Sequence, residues 1–131
     1  MKKRPAKKAA KPVVAKSADY DVIRACVLVA SNLAAYRAAI AADPSGNSDY
    51  VNEDTHFYRR ALKALAVAAA PVITEQGLDA KARIIKAVLD DNADFELTEE
   101  AFAFVVSFAA DVKAHYERLE NLRCIEANAA F

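Results

Sequence analysis

Two groups of polar residues have the spacing of metal-binding or catalytic residues on a helix. Glu53 and His56 form a Glu-x-x-His motif, which places two ligands on one helix face in di-iron bundles. Such a site needs a second copy of the motif and two further carboxylates, but His115 is preceded by Val112 at three residues and Asp111 at four. We therefore expect no metal site, with Glu53 as a surface acid and His56 as a partly buried, hydrogen-bonded ring.

Ser107, Asp111 and His115 follow one another at intervals of four, so they share one helical face. A hydrolytic triad needs the imidazole between the hydroxyl and the carboxylate, whereas here the carboxylate is in the middle. The sequence also lacks a glycine-rich phosphate loop and a zinc-ligand spacing. It predicts a structural polar row, with no catalytic residues and no cofactor.

The two cysteines are too few for a disulfide scaffold. Cys26 shares a helical face with Val22 and Val29, which predicts a core position, and Cys124 shares a face with Glu117, which predicts exposure. A bridge would need Cα atoms within about 7 Å and converging side chains. We expect two free thiols and a reducing, cytoplasmic location.

Charge is distributed very unevenly along the 131 residues, although 18 basic and 18 acidic side chains cancel. The first sixteen residues contain seven basic side chains and no acid, whereas residues 17–131 contain 11 basic and 18 acidic ones. The tail therefore carries +7 and the body −7. The basic residues of the tail are Lys2, Lys3, Arg4, Lys7, Lys8, Lys11 and Lys16.

Residues 1–18 are predicted to be a disordered basic tail, because like charges repel and Pro5 and Pro12 interrupt helices. Its candidate targets are nucleic-acid phosphates, an anionic membrane surface and the acidic body itself; the alternative is a role in solubility alone. The membrane is disfavoured because the tail lacks apolar anchors. No export signal or transmembrane span is expected, since Arg24, Asn32 and Arg37 interrupt the next apolar stretch.

Apolar residues spaced three or four apart predict four helices, at about 19–42, 49–70, 74–89 and 98–127. Ser17 or Asp19, Thr74 and Thr98 are the expected N-caps, and Pro71 should end the second helix. The predicted core stripes are Ile23, Val27, Ala30, Leu33 and Ala34; Phe57, Ala61, Leu65 and Ala68; Leu78, Ala82, Ile85 and Leu89; and Phe102, Val105, Phe108, Val112, Leu119 and Leu122.

Four such helices with short connections predict an all-α fold, an antiparallel four-helix bundle spanning residues 19–128. Truncation of Phe102 or Leu65 to alanine should then cost about 3 kcal/mol of stability.

One motif resembles a known group. The pattern Pro-x-x-Thr-x-x-Gly-Leu-x-Ala-Lys at residues 71–81, followed by Ser-x-Ala-x-Asp at 107–111, is similar to that of small uncharacterised helical proteins of proteobacteria. The resemblance implies a bacterial or phage origin and a helical fold, and no activity. Independently of it, counting residues from the loop near Asp94 sets Lys81 within a turn of Asp111, which predicts a partly exposed pair between the last two helices.

The expected function is a non-enzymatic interaction module. Its bundle would bind a protein partner or a second copy, and its tail would add nonspecific affinity for nucleic acid. The first alternative is an acidic-surfaced inhibitor or immunity-type protein that binds a basic partner. The second is a helical metalloprotein or enzyme.

Overall fold

The computed structural model describes residues 18–42, 56–90 and 97–129, and these contain four α-helices and no strand. The helices are α1 (Tyr20–Ala42), α2 (His56–Ala68), α3 (Glu75–Asp90) and α4 (Glu99–Ala129). The basic tail and the predicted first turns of the second helix, with Glu53, lie outside the described residues.

Three predicted boundary signals have the expected geometry. The hydroxyl of Thr74 accepts a hydrogen bond from the Gly77 amide at 3.0 Å, and the hydroxyl of Thr98 accepts one from the Ala101 amide at 3.1 Å. Both threonines are therefore N-caps that satisfy amides of the first helical turn. Helix α2 ends at Ala68, three residues before Pro71, whose ring excludes a helical hydrogen bond.

The helices alternate in direction, as expected for an antiparallel bundle. Near the end of α1, the Tyr36 ring lies 5.0 Å from that of Tyr58 at the start of α2, so these two helices are antiparallel. Arg37 donates a hydrogen bond of 2.9 Å to the carbonyl of Ala87 near the end of α3, so α1 and α3 are parallel. Lys81 contacts Asp111, and the later α4 residue Arg118 binds the carbonyl of Ile73 just before α3, so α3 and α4 are antiparallel.

Neighbours in sequence are not all neighbours in space. Helix α1 packs on α2 and α3, and α4 packs on the same two helices. Helices α2 and α3 are therefore diagonal to each other, and the chain between them, residues 69–74, has to cross the end of the bundle. We call residues 69–74 the crossing segment.

The core faces of α3 and α4 differ from the prediction by one residue. The buried stripe of α3 is Gly77, Lys81, Ile84 and Val88, each one position before the predicted stripe. In α4 the buried residues are Ala101, Phe104 and Asp111. Leu78 and Ile85 of the predicted α3 stripe are partly buried and pack against the core, so that stripe lies beside the buried face. The shift arises because Lys81 and Asp111 were predicted to be partly exposed, and a shift of one residue rotates a helical face by about 100°.

Several large apolar residues of the predicted stripes are consequently exposed. Phe102 is 60% exposed, so its truncation cannot have the predicted core cost, whereas Leu65 is 4% exposed and lies in the core. In α1, Val27 is also exposed, and the buried face is formed by Val22, Ala25, Cys26, Val29, Leu33 and Tyr36.

Helix α1 is also long and apolar enough to cross a membrane by length and composition, with a mean hydropathy of 1.5 over its best window. The expectation of no transmembrane span relied on the polar residues that interrupt this helix, namely Arg24, Asn32 and Arg37. These interruptions are too few to exclude a span by composition. In the structure, 28% of that window is buried in the bundle, and the rest of it is partly or fully exposed.

Candidate functional site

The crossing segment is bound by two buried carboxylates from other helices. Because residues 72–74 lie at the bundle end without helical or sheet pairing, their amides need other acceptors. Asp111 of α4 accepts from the Val72 amide at 3.3 Å. Asp19, just before α1, accepts from the amide of Ile73 at 3.1 Å, from the amide of Thr74 at 2.7 Å and from the Thr74 hydroxyl. These bonds hold Val72, which is 4% exposed, against the core.

Asp19 therefore caps the entrance of α3, whereas the sequence suggested it as a cap of its own helix. Burial acts to raise the pKa of this carboxyl, but hydrogen bonds from Thr74 and Ile73 and the charge of Lys81 outweigh burial and lower the pKa below its ordinary value of 3.8. The ionised form of Asp19 thus stabilises the fold.

Lys81 neutralises the second carboxylate. Its Nζ lies 2.5 Å from an Asp111 Oδ and donates a hydrogen bond of 2.9 Å to the Ser107 hydroxyl. The ammonium is also 5.8 Å from the centroid of the Phe104 ring, within cation–π range. The expected pair between α3 and α4 is present, but it is fully enclosed, with side-chain exposures of 0% and 6%, where partial exposure was predicted. We call Asp19, Thr74, Lys81, Ser107 and Asp111 the buried polar cluster.

Gly77 lets α3 approach Asp19 and Val72. A Cβ built on Gly77 would lie 2.8 Å from the Asp19 Cγ and 2.8 Å from the Val72 Cβ, closer than real Cβ contacts. A side chain here would displace either the carboxylate or the crossing segment. The motif at residues 71–81 thus has a physical basis, since its Thr and Lys belong to the buried polar cluster and its Gly leaves room for Asp19.

The cluster is not arranged for nucleophilic catalysis. Lys81 donates its hydrogen bonds to Ser107 and Asp111, whereas a general base would accept the serine proton. His115 faces a separate groove and has no hydrogen bond to Asp111 in the described contacts. No group of three or more metal-ligating side chains occurs among the residues that the structure describes.

Both cysteines are free, as predicted, with Cys26 buried and Cys124 exposed. Burial raises the pKa of the Cys26 thiol to about 11, despite the opposing charge of Lys81. Cys26 is therefore a protonated core thiol with little nucleophilic character at neutral pH.

The second notable region is the far end of α4. This helix has 31 residues and α3 has 16, so α4 is longer by roughly 20 Å. The last described hydrogen bond from α4 to another part of the bundle runs from Arg118 to the carbonyl of Ile73 in the crossing segment, at 3.4 Å. Residues 119–129, which we call the α4 overhang, are all exposed. They include Leu119, Leu122 and Ile125, the last two 56% and 62% exposed.

A groove between α3 and α4 leads to this overhang. It has a volume of about 360 Å³, and we call it the α3–α4 groove. Its apolar lining residues are Leu78, Ala82, Phe108, Val112, Tyr116 and Leu119. Leu119 thus belongs to both features, and the groove and the overhang form one continuous surface.

Comparisons with protein-family models, with curated proteins and with solved structures each returned no match to this chain.

Proposed function

We propose that this chain is a non-enzymatic protein-interaction module that binds through α4, with a basic tail that adds nonspecific affinity for nucleic acid. One observation carries the proposal: α4 extends beyond its neighbours and keeps large apolar side chains exposed there. Soluble proteins rarely expose contiguous apolar surface unless it binds something.

The charges of the chain support two separate contacts. The apolar surface of α4 fits a protein, while the tail residues Lys2, Lys3, Arg4, Lys7, Lys8, Lys11 and Lys16 fit phosphates. Neutralised phosphates release counterions whatever the base sequence, so this second contact would be nonspecific. We place the protein in the cytoplasm, in keeping with its two free thiols.

Two binding assays on the full chain and on a chain lacking residues 1–18 test this division. For a DNA duplex, we expect binding by the full chain with a salt slope approaching about −6, and little binding by the truncated chain. For protein partners, a pull-down should give the same bands with both chains and lose them with Leu122→Glu. Duplex binding that survives truncation or ignores salt would reject the role of the tail. Protein capture that requires the tail, or that Leu122→Glu leaves intact, would reject the role of α4.

A further inference from the structure

We propose that the α4 overhang and the α3–α4 groove form a docking surface for a second copy of this chain, through antiparallel pairing of two α4 helices. The inference rests on the proposed function, because it names the protein that α4 binds. The surface runs from Phe108 and Val112 in the groove to Leu119, Leu122 and Ala129 in the overhang. Intervals of three, four or seven residues keep this stripe on one helical face.

The stripe is self-complementary when two copies run in opposite directions. When the two-fold axis passes between Glu120 and Asn121, Leu119 lies against the second copy's Leu122. In the same register, Val112 lies against the second copy's Ala129. In an antiparallel coiled coil, an a position of one helix packs against a d position of the other, and this register pairs the residues in that way. Each contact occurs twice because the two-fold axis repeats it.

The charges favour the same register. His115 faces the second copy's Glu126, which offers an imidazole a carboxylate partner. Tyr116 flanks the second copy's Arg123, an arrangement that allows a cation–π contact. A parallel pair would instead place Glu126 against Glu126 and bring two bodies of charge −7 side by side.

The extent of the contact predicts a reversible dimer. Residues 112–129 would overlap, which is about 27 Å of paired helix. Isolated helices of this length are marginal in water, but here each one is rooted in a folded bundle. The buried area would be roughly 1,000–1,200 Å², at the low end for specific interfaces, so we expect association at micromolar concentration.

Pairing also brings two basic tails into one assembly. Asp19, close to the root of the tail, binds Thr74 at the end of the bundle from which the overhang projects. A dimer would present both tails to one nucleic acid, which raises the effective concentration of the second tail.

Sedimentation equilibrium of the full chain at several concentrations tests the pairing. We expect a monomer–dimer equilibrium that Leu122→Glu weakens by about 30-fold or more. Cys124→Glu is the matched control, because it adds the same charge on the opposite side of the overhang and should leave the equilibrium unchanged. Both sites are exposed, so neither variant should unfold the bundle. A chain lacking residues 1–18 should dimerise like the full chain.

A charge exchange tests the register. Glu126→Lys should weaken the dimer, and adding His115→Glu should restore it. A double variant that stays weakened would overturn this register. A wild-type chain that remains monomeric at its highest soluble concentration would overturn the second copy as the occupant. The proposed function would fail separately, if Leu122→Glu also left the capture of other proteins unchanged.

Discussion

Helix α4 buries charge in its first part and exposes hydrophobic side chains in its second. Asp111 is 5% exposed inside the bundle, whereas Leu122 is 56% exposed beyond it. The carboxylate is buried because the crossing segment needs an acceptor and Lys81 supplies the opposite charge. The leucine is exposed because no described helix extends that far. Along this helix, a side chain is buried where other helices or polar groups can contact it, and hydropathy alone is a poor predictor of its burial.

The largest effect should come from breaking the buried pair. Asp111→Ala would leave the Lys81 ammonium in the core and the Val72 amide without its acceptor, so we expect a loss of about 4 kcal/mol in the free energy of unfolding. Urea denaturation measures it. The double variant Lys81→Met with Asp111→Leu removes both charges and should recover part of the loss. If the double variant loses as much free energy of unfolding as the two single variants added together, the two charges are not coupled.

Two phenylalanines of α4 test the corrected core face. Phe104 is fully buried and Phe102 is 60% exposed. We expect Phe104→Ala to cost about 3–4 kcal/mol and Phe102→Ala about 0.5 kcal/mol or less, measured by thermal or chemical unfolding. Equal losses would mean that α4 is rotated relative to the structure described here.

The next effect concerns Asp19 and depends on pH. Asp19→Asn removes the ionised acceptor of the Thr74 and Ile73 groups, so we expect a loss of about 2 kcal/mol at neutral pH. Because folding lowers the pKa of Asp19 below 3.8, its contribution is present above that pH and is lost as the pH falls further.

The stability difference between wild type and this variant should therefore be constant from neutral pH to about 4.5 and shrink as the pH falls from there to about 3. Denaturation at several pH values measures it. A difference that stays constant over this range would show that ionised Asp19 contributes nothing to the fold.

The smallest effect on stability is expected in the overhang. Leu122→Ala should change the free energy of unfolding of the monomer by about 0.5 kcal/mol or less, since the side chain is 56% exposed. Measured at low concentration, this separates folding from association. A large loss in the monomer would mean that Leu122 is covered within its own chain.

Much of the fold could be predicted from the sequence, because its signals are local. Periodicity predicted the four helices, and Thr74, Thr98 and Pro71 fixed their boundaries through capping and ring geometry. Alternating directions followed from the short connections. The diagonal placement of α2 and α3 could not be predicted, because helix packing decides it and the loop lengths allow either arrangement.

The buried polar cluster was only half predictable. Counting residues from the connection brought Lys81 within a turn of Asp111, but the sequence predicted a partly exposed pair where the structure encloses it. Their burial depends on the tertiary fold, because the crossing segment has amides that need hydrogen-bond acceptors at the end of the bundle. Asp19 was missed as a partner for the same reason, since it lies more than fifty residues from Thr74 and a local cap explained it equally well.

Amide hydrogen exchange along α4, measured at low and high protein concentration, tests the central claim most directly. We expect residues 99–118 to be protected at both concentrations because the bundle covers them. Residues 119–129 should exchange rapidly when dilute and slowly when concentrated, and Leu122→Glu should abolish this change. Exchange of residues 119–129 that does not respond to concentration would contradict the proposal that a second copy covers the α4 overhang.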